Sequence, residues 1–303
     1  MTAVVDTPSS TGNTPAPMDR TPVKARRSRA AGIESRPSWF IYALLGALLI
    51  GSTYPLYWSF VMGSSDKSAL VETFPPLLPG SQFWANVAEV VDTVPFWMAL
   101  LNSVIVSSVI TVSVVFFSTL AGYAFAKLRF RGREGLMVFV IATLAVPTQL
   151  GIIPLFMLMK QFGWTGSLGA VIVPTLVTAF GVFFMRQYLV DVIPDELVEA
   201  ARVDGASMIL TFFNVGLPAA RPAMAILGMF TFMTAWTDYL WPLLVVPQNP
   251  TLQVALSQLQ SARYVDYSIV LSGAVLATLP LLLVFFVVGK QLVSGIMAGA
   301  VKG

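Results

Sequence analysis

Six long apolar runs, five of them uncharged, set the pattern of this chain: Trp39 to Val61, Met98 to Ala126, Gly135 to Met159, Gln161 to Met185, Pro222 to Val246 and Tyr267 to Gly289. Each is near or above the ~20 residues that a helix needs to cross the hydrocarbon of a bilayer. The pattern predicts an all-α membrane protein with six transmembrane helices. The fifth run is interrupted by Asp238, a charge that needs water or a partner at such a place. Trp39, Tyr42, Tyr54, Tyr57 and Trp58 lie toward the ends of the first run, as interfacial aromatics do.

One segment breaks the pattern. Glu199 to Pro218, EAARVDGASMILTFFNVGLP, is short and partly polar. Pro194 suits the first turn of a helix, and Asp195, Glu196 and Glu199 face the positive end of its dipole. Leu197, Ala200, Ala201 and Asp204 recur at i, i+3, i+4 and i+7, and Gly205 stands where a left-handed cap would end the helix after roughly three turns. Ser207 can cap a second helix, whose apolar run from Met208 to Leu217 is half a span long and is expected to stop at Pro218. Ala200 and Ala201 let another backbone come close. Such a small-faced helix pair reads as a plug for a socket on a partner protein. For Glu199 alone, the plainer reading is a solvated face with Arg202 three residues on.

The composition, 56% hydrophobic and 11% charged, lies far from that of a soluble domain, where about a quarter of residues are charged; the mean hydropathy is +0.77. Lys and Arg fix the expected orientation, because they stay on the cytoplasmic side of short loops. With the amino terminus inside, fifteen of the 18 fall on inner segments, and the outer loops keep only Lys67, Lys160 and Arg263. Both termini and the Glu199 segment are then cytoplasmic. The net charge of +3 is spread over membrane boundaries instead of one patch, which argues against nucleic acid. With no Cys and no His, disulfides, thiol chemistry, imidazole bases and the usual soft-metal sites are excluded.

Residues 1–37, rich in Pro, Ser, Thr and Arg, are expected to be a disordered cytoplasmic tail and not a signal peptide. The longest outer loop, Met62 to Trp97, contains the turn-rich Phe74 to Gly80 and a short helix expected over Phe83 to Val91; it is a spacer or a contact for an external partner. Lys127 to Glu134 reads as a basic anchor at the inner boundary. Pro147, Gln149 and Pro154 should loosen the third span. Asn102 and Ser103 could bond between helices or face solute. Asp238, Trp236 and Tyr239 are candidates for a translocation path, since aromatic faces beside a polar group suit sugar rings; the plainer reading is a hydrated acid near the outer interface. No phosphate loop exists: Gly289-Lys290 is followed by Gln291, and position 284 is Val. A membrane chain with a docking helix but no nucleotide site implies a separate ATPase subunit.

Glu199, Ala200, Ala201, Gly205, Leu217 and Pro218 closely resemble the EAA motif of permease subunits in ATP-binding-cassette importers. Asp204 beside Gly205, Arg221-Pro222 after the Leu-Pro, and the ending Gly299, Ala300, Val301, Lys302, Gly303 resemble the carbohydrate-uptake branch, in its maltose-permease G type. Asn102-Ser103, Gly122-Tyr123-Ala124 followed by Arg129 to Gly132, and Trp236 to Pro242 extend the likeness over residues 38–303; related subunits often carry Asn where Thr237 stands. The resemblance implies a type I ABC importer permease fold with a coupling loop at about 189–221. It implies no cofactor and no metal on this chain, with ATP and magnesium on two partner ATPase subunits. A second permease subunit, an external solute-binding protein, a di- or oligosaccharide substrate and a bacterial or archaeal cytoplasmic membrane complete the expectation, and the carboxy-terminal five residues would reach between the ATPases. The chain itself would not be an enzyme. An ion-coupled secondary transporter or channel would need buried ionisable groups, which five of the six runs lack. A membrane scaffold is the third alternative.

Overall fold

The computed structural model describes residues 38–68, 76–261 and 265–300, with side chains as far as Gly289. The amino-terminal tail expected over residues 1–37, the start of the Phe74 to Gly80 turn, and Val301 to Gly303 of the carboxy-terminal tail lie outside these residues. Two compact units divide within the first helix, after Ser52. The first contributes the opening of α1 (Trp39–Gly63), where Leu44, Leu45, Leu48, Leu49 and Ile50 are exposed, a surface suited to lipid. The rest of the chain is the second unit.

In that unit α1 ends among polar contacts. The Gly63 carbonyl accepts from Asn86 Nδ2 at 2.8 Å and from Ser272 Oγ at 2.6 Å. Asn86 belongs to α2 (Phe83–Thr93), close to the short helix expected at Phe83 to Val91. Gly63 is required by packing, because a β-carbon there would stand 2.8 Å from the backbone nitrogen of Ser272. A proline, Pro55, lies within α1.

The centre is α3 (Phe96–Lys127), which packs most extensively on α7 (Ala179–Val192) and α10 (Leu217–Thr237). Ser118 and Gly122 lie one turn apart on α3 and bring α7 close: a β-carbon on Gly122 would meet the Arg186 nitrogen at 2.7 Å, and Gly181 faces Ser118 Oγ. Small residues at such crossings let dispersion forces act between backbones, which is the main attraction available to helices in lipid. Val106, Ile110, Val114, Met185, Leu189, Ala223 and Leu227 fill the core around this crossing.

Three spans differ from their expected outlines. The third is α4 (Arg133–Leu144), a 3-10 turn at Thr148–Gly151, and α5 (Ile152–Gln161), bent by 91° instead of merely loosened. Pro147 is extended, and its ring disfavours helical geometry at Val146, so the helix ends before it. The fourth span runs Leu168–Val192, through α6 (Leu168–Ile172), a 3-10 turn and α7, not from Gln161 to Met185. The uncharged residues after Gln161 form turns, with Gly163 and Gly166 at φ +67° and +89°.

The fifth span runs Met208–Thr237 instead of Pro222 to Val246, and Pro218 does not stop it. Helix α9 (Met208–Thr211) leads through a π turn at Phe212–Gly216 directly into α10. The wider π turn shifts the hydrogen-bond register by one residue, so proline's ring and missing N–H fall in the first turn of α10. The second helix of the expected docking pair is thus the start of a span. After Thr237 come α11 (Leu240–Val245), α12 (Leu252–Gln258) and α13 (Tyr267–Ala300). Among the described residues, five helices are long and apolar enough to cross a membrane, or six with the bent pair as one span.

Candidate docking site

The Glu199 segment is built around α8 (Asp195–Val203), preceded by extended Pro194, with Asp195 and Glu196 in its first turn and Arg202 in its last. Charges of these signs at these ends complement the helix dipole. Val198 is buried and joins Leu189 and Ile193 in the core, which seats one face of α8. Its remaining face is open: Leu197, Glu199 and Ala200 are exposed, and Val203 is 88% accessible.

A complete Schellman motif ends α8. The Ala206 N–H donates to the Ala201 carbonyl at 2.9 Å and the Gly205 N–H to that of Arg202 at 3.0 Å. This closure needs a left-handed residue, and Gly205 has φ +80°. Apart from its neighbours along the chain, no atom of the described residues lies within 4 Å of where a Gly205 β-carbon would be. The Ser207 hydroxyl then caps α9 by accepting from the Leu210 N–H at 3.2 Å. Beyond the turn, Met208, Ile209 and Phe213 are exposed. An apolar, small-residue knuckle left uncovered in this way suits a protein partner.

Two contacts tie the knuckle to the spans, and sequence reasoning missed both. Lys127 Nζ, at the end of α3, is 2.8 Å from Asp195 Oδ1; Lys127 had been expected only as a boundary anchor. The hydrogen bond from Lys127, and then its charge and those of Arg129 and Arg133, hold the Asp195 carboxyl below its ordinary range. On the other side, the buried Tyr123 ring packs edge-on against Phe212, with centroids 5.3 Å apart. The Gly122-Tyr123-Ala124 likeness was the available signal, but it did not say what the tyrosine touches. Leu217 is half-buried and Pro218 exposed on the α10 side of the π turn.

The four candidate path residues fall into two groups. Asn102 is buried and donates to the Asn249 side chain at 2.7 Å and the Pro250 carbonyl at 3.0 Å. Trp236 is 1% exposed, stacks on Phe232 and donates through Nε1 to the Ala277 carbonyl at 3.1 Å. Both are committed to packing. Asp238 sits where α10 ends, with extended backbone, and Tyr239 is 41% exposed. Gly299 and Ala300 end α13, and the other three carboxy-terminal residues lie outside the described residues.

Residues 115–297 match the family described as the binding-protein-dependent transport system inner membrane component. The chain belongs to this family. The permease is 36% identical over 266 residues to the lactose transport system permease protein of Rhizobium radiobacter, covering 86% of this chain and 95% of that one. It is 35% identical over 210 residues to the arabinooligosaccharides transport system permease protein of Halalkalibacterium halodurans, covering 69% and 75%. An sn-glycerol-3-phosphate transport system permease protein of Pectobacterium atrosepticum is 30% identical over 269 residues, covering 85% and 95%. The fold matches a chain of a bacterial ABC transporter involved in the import of the acidic polysaccharide alginate, with TM-score 0.72, 25% identity, and 83% and 95% coverage. The ABC importer permease fold expected from the EAA motif is the one found.

Proposed function

We propose that this permease is the transmembrane subunit of an ATP-driven importer for a di- or oligosaccharide, and that its knuckle from Glu199 to Pro218 is gripped by an ATPase subunit. It forms the pathway with a second permease subunit, above two ATP-binding-cassette subunits that bind ATP and magnesium, and receives solute from an external binding protein. The knuckle and both termini face the cytoplasm of a bacterial or archaeal cell, in agreement with the distribution of Lys and Arg. Residues 38–303 form the permease domain, and Gly299 to Gly303 reach between the ATPases.

The observation that carries this reading is Gly205. Its left-handed backbone is needed to close α8, and the space beside it, empty of any other described residue, leaves room for a partner's wall. ATPase closure then moves α8. Lys127–Asp195 and Tyr123–Phe212 pass that movement to α3 and α10, which alternates the pathway between its two openings. Purification of the tagged permease from membranes tests this: a bound ATPase is expected with the wild type and its loss with Gly205→Asp, while equal recovery with both contradicts the reading.

A further inference from the structure

At the end of α10 opposite the docking knuckle, the chain breaks at Asp238, and α11 and α12 fold back onto the spans. Helix α12 is fixed there: the Leu252 N–H donates to Ser103 Oγ at 2.8 Å, and Asn102 holds Asn249 and Pro250 just before it. One side of α12 is buried through Leu252, Val254, Ala255 and Leu256. Leu256 lies over Gly273 of α13, where an added β-carbon would meet its Cδ2 at 2.7 Å.

The other side carries Gln253, Ser257 and, just past the helix end, Gln260, spaced i, i+4 and i+7, so they share a face. They open onto a groove of about 500 Å³. Tyr239, Thr237 and Thr278 also line it, and its opposite wall follows α13 from Val270 to Leu281, a length of about 16 Å at 1.5 Å per residue. The Thr237, Ser257 and Thr278 hydroxyls donate within their own helices, to Met233, Val254 and Val275, and keep lone pairs to offer. Neither the Gln253 nor the Gln260 carboxamide has a partner among the described residues. A polar strip beside spanning helices belongs against water or a polar solute.

Among the described residues, no charged side chain lines this groove. A phosphate or uronate would require a cation for compensation. Lys67 is held at 3.2 Å by Asp266, which directly precedes α13, and at 3.8 Å by Glu89. Carboxamides, each both donor and acceptor, match paired hydroxyls, and the exposed Tyr239 ring offers an apolar face to a sugar ring.

We infer that this groove is the solute-facing wall of the permease, that Gln253 and Gln260 are its specificity-determining residues, and that it takes a neutral saccharide and excludes anionic solutes. This rests on the importer reading above and adds to it the place of contact and the class of sugar.

The absence of cysteine gives a clean background for Gln253→Cys and Gln260→Cys in the complete importer. Reaction with a membrane-impermeant cationic methanethiosulfonate, read on this subunit by mass spectrometry, should label both positions, and the rate should change about fivefold or more when ATP and vanadate trap the complex. Failure to label either position overturns the inference. Uptake of lactose, arabinotriose and sn-glycerol 3-phosphate is then measured in vesicles. A neutral sugar should enter, and Gln253→Ala or Gln260→Ala should raise KM about fivefold, one hydrogen bond's worth, with kcat within about twofold. Uptake of the phosphate alone, no uptake of a neutral sugar, or an unchanged KM overturns it. The importer reading fails separately, when no ATPase co-purifies.

Discussion

The ring of Tyr123 lies so close to Gly216 that a β-carbon there would stand 2.9 Å from its Cδ2. Gly216 ends the π turn, so this contact presses α3 against the place where the docking knuckle becomes the fifth span. Gly216→Ala must displace the ring or open the turn. Overpacking of this kind costs roughly 1–3 kcal/mol, and thermal unfolding in detergent should show the loss.

Tyr123 itself separates packing from hydrogen bonding. Its hydroxyl is buried without a partner among the described residues, so only the ring contributes to stability. Tyr123→Phe should leave unfolding unchanged or slightly improved, whereas Tyr123→Ala should cost about 3–5 kcal/mol through the cavity it leaves. A large loss in Tyr123→Phe would show that the hydroxyl is bonded in the membrane.

The α3–α7 crossing depends on Gly122 in the same way. Gly122→Leu places a side chain where the Arg186 backbone already stands, and no rotamer avoids it. The variant should be recovered from membranes at a small fraction of the wild-type amount, while Gly46→Leu, where no atom of the described residues lies within 4 Å, should be recovered normally. Immunoblotting of membrane fractions checks both.

The Lys127–Asp195 pair gives the knuckle a pH dependence. The carboxyl is held below its ordinary range in the folded protein, so the pair contributes above the unfolded value, about 3.9, and its contribution disappears as pH falls through the lowered folded value. At pH 7, Asp195→Asn should speed protease cleavage within residues 189–221. Below the ordinary carboxylate range the difference should vanish. Asp195 is exposed, so salt should weaken the effect.

What the sequence revealed, and what it hid, follows the range of the forces involved. Gly205 and Ser207 announced their caps because capping is local, a matter of one backbone conformation and one hydroxyl. Pro218 misled because the rule that proline stops a helix assumes α geometry, and the π turn before it changes the register. Hydropathy could not place the start of the fourth span, since Phe162 to Ser167 is as uncharged as a helix. By type, Asn102 fits packing or a pathway and Trp236 fits a pathway; only the fold shows the Asn102 amide nitrogen and the Trp236 indole N–H bonded to Asn249, Pro250 and Ala277. Gln253 and Gln260 drew no notice because two glutamines in a loop carry no motif until α12 is folded against α13.

The most direct measurement is cross-linking from Val203, the most exposed of the large apolar side chains on α8. In membranes, Val203→Cys carrying a short photoreactive label should give one adduct with an ATP-binding-cassette subunit, and Gly205→Asp in the same chain should abolish it. An adduct with an external protein, or none in intact membranes, would contradict the claim that this knuckle is where the motor takes hold.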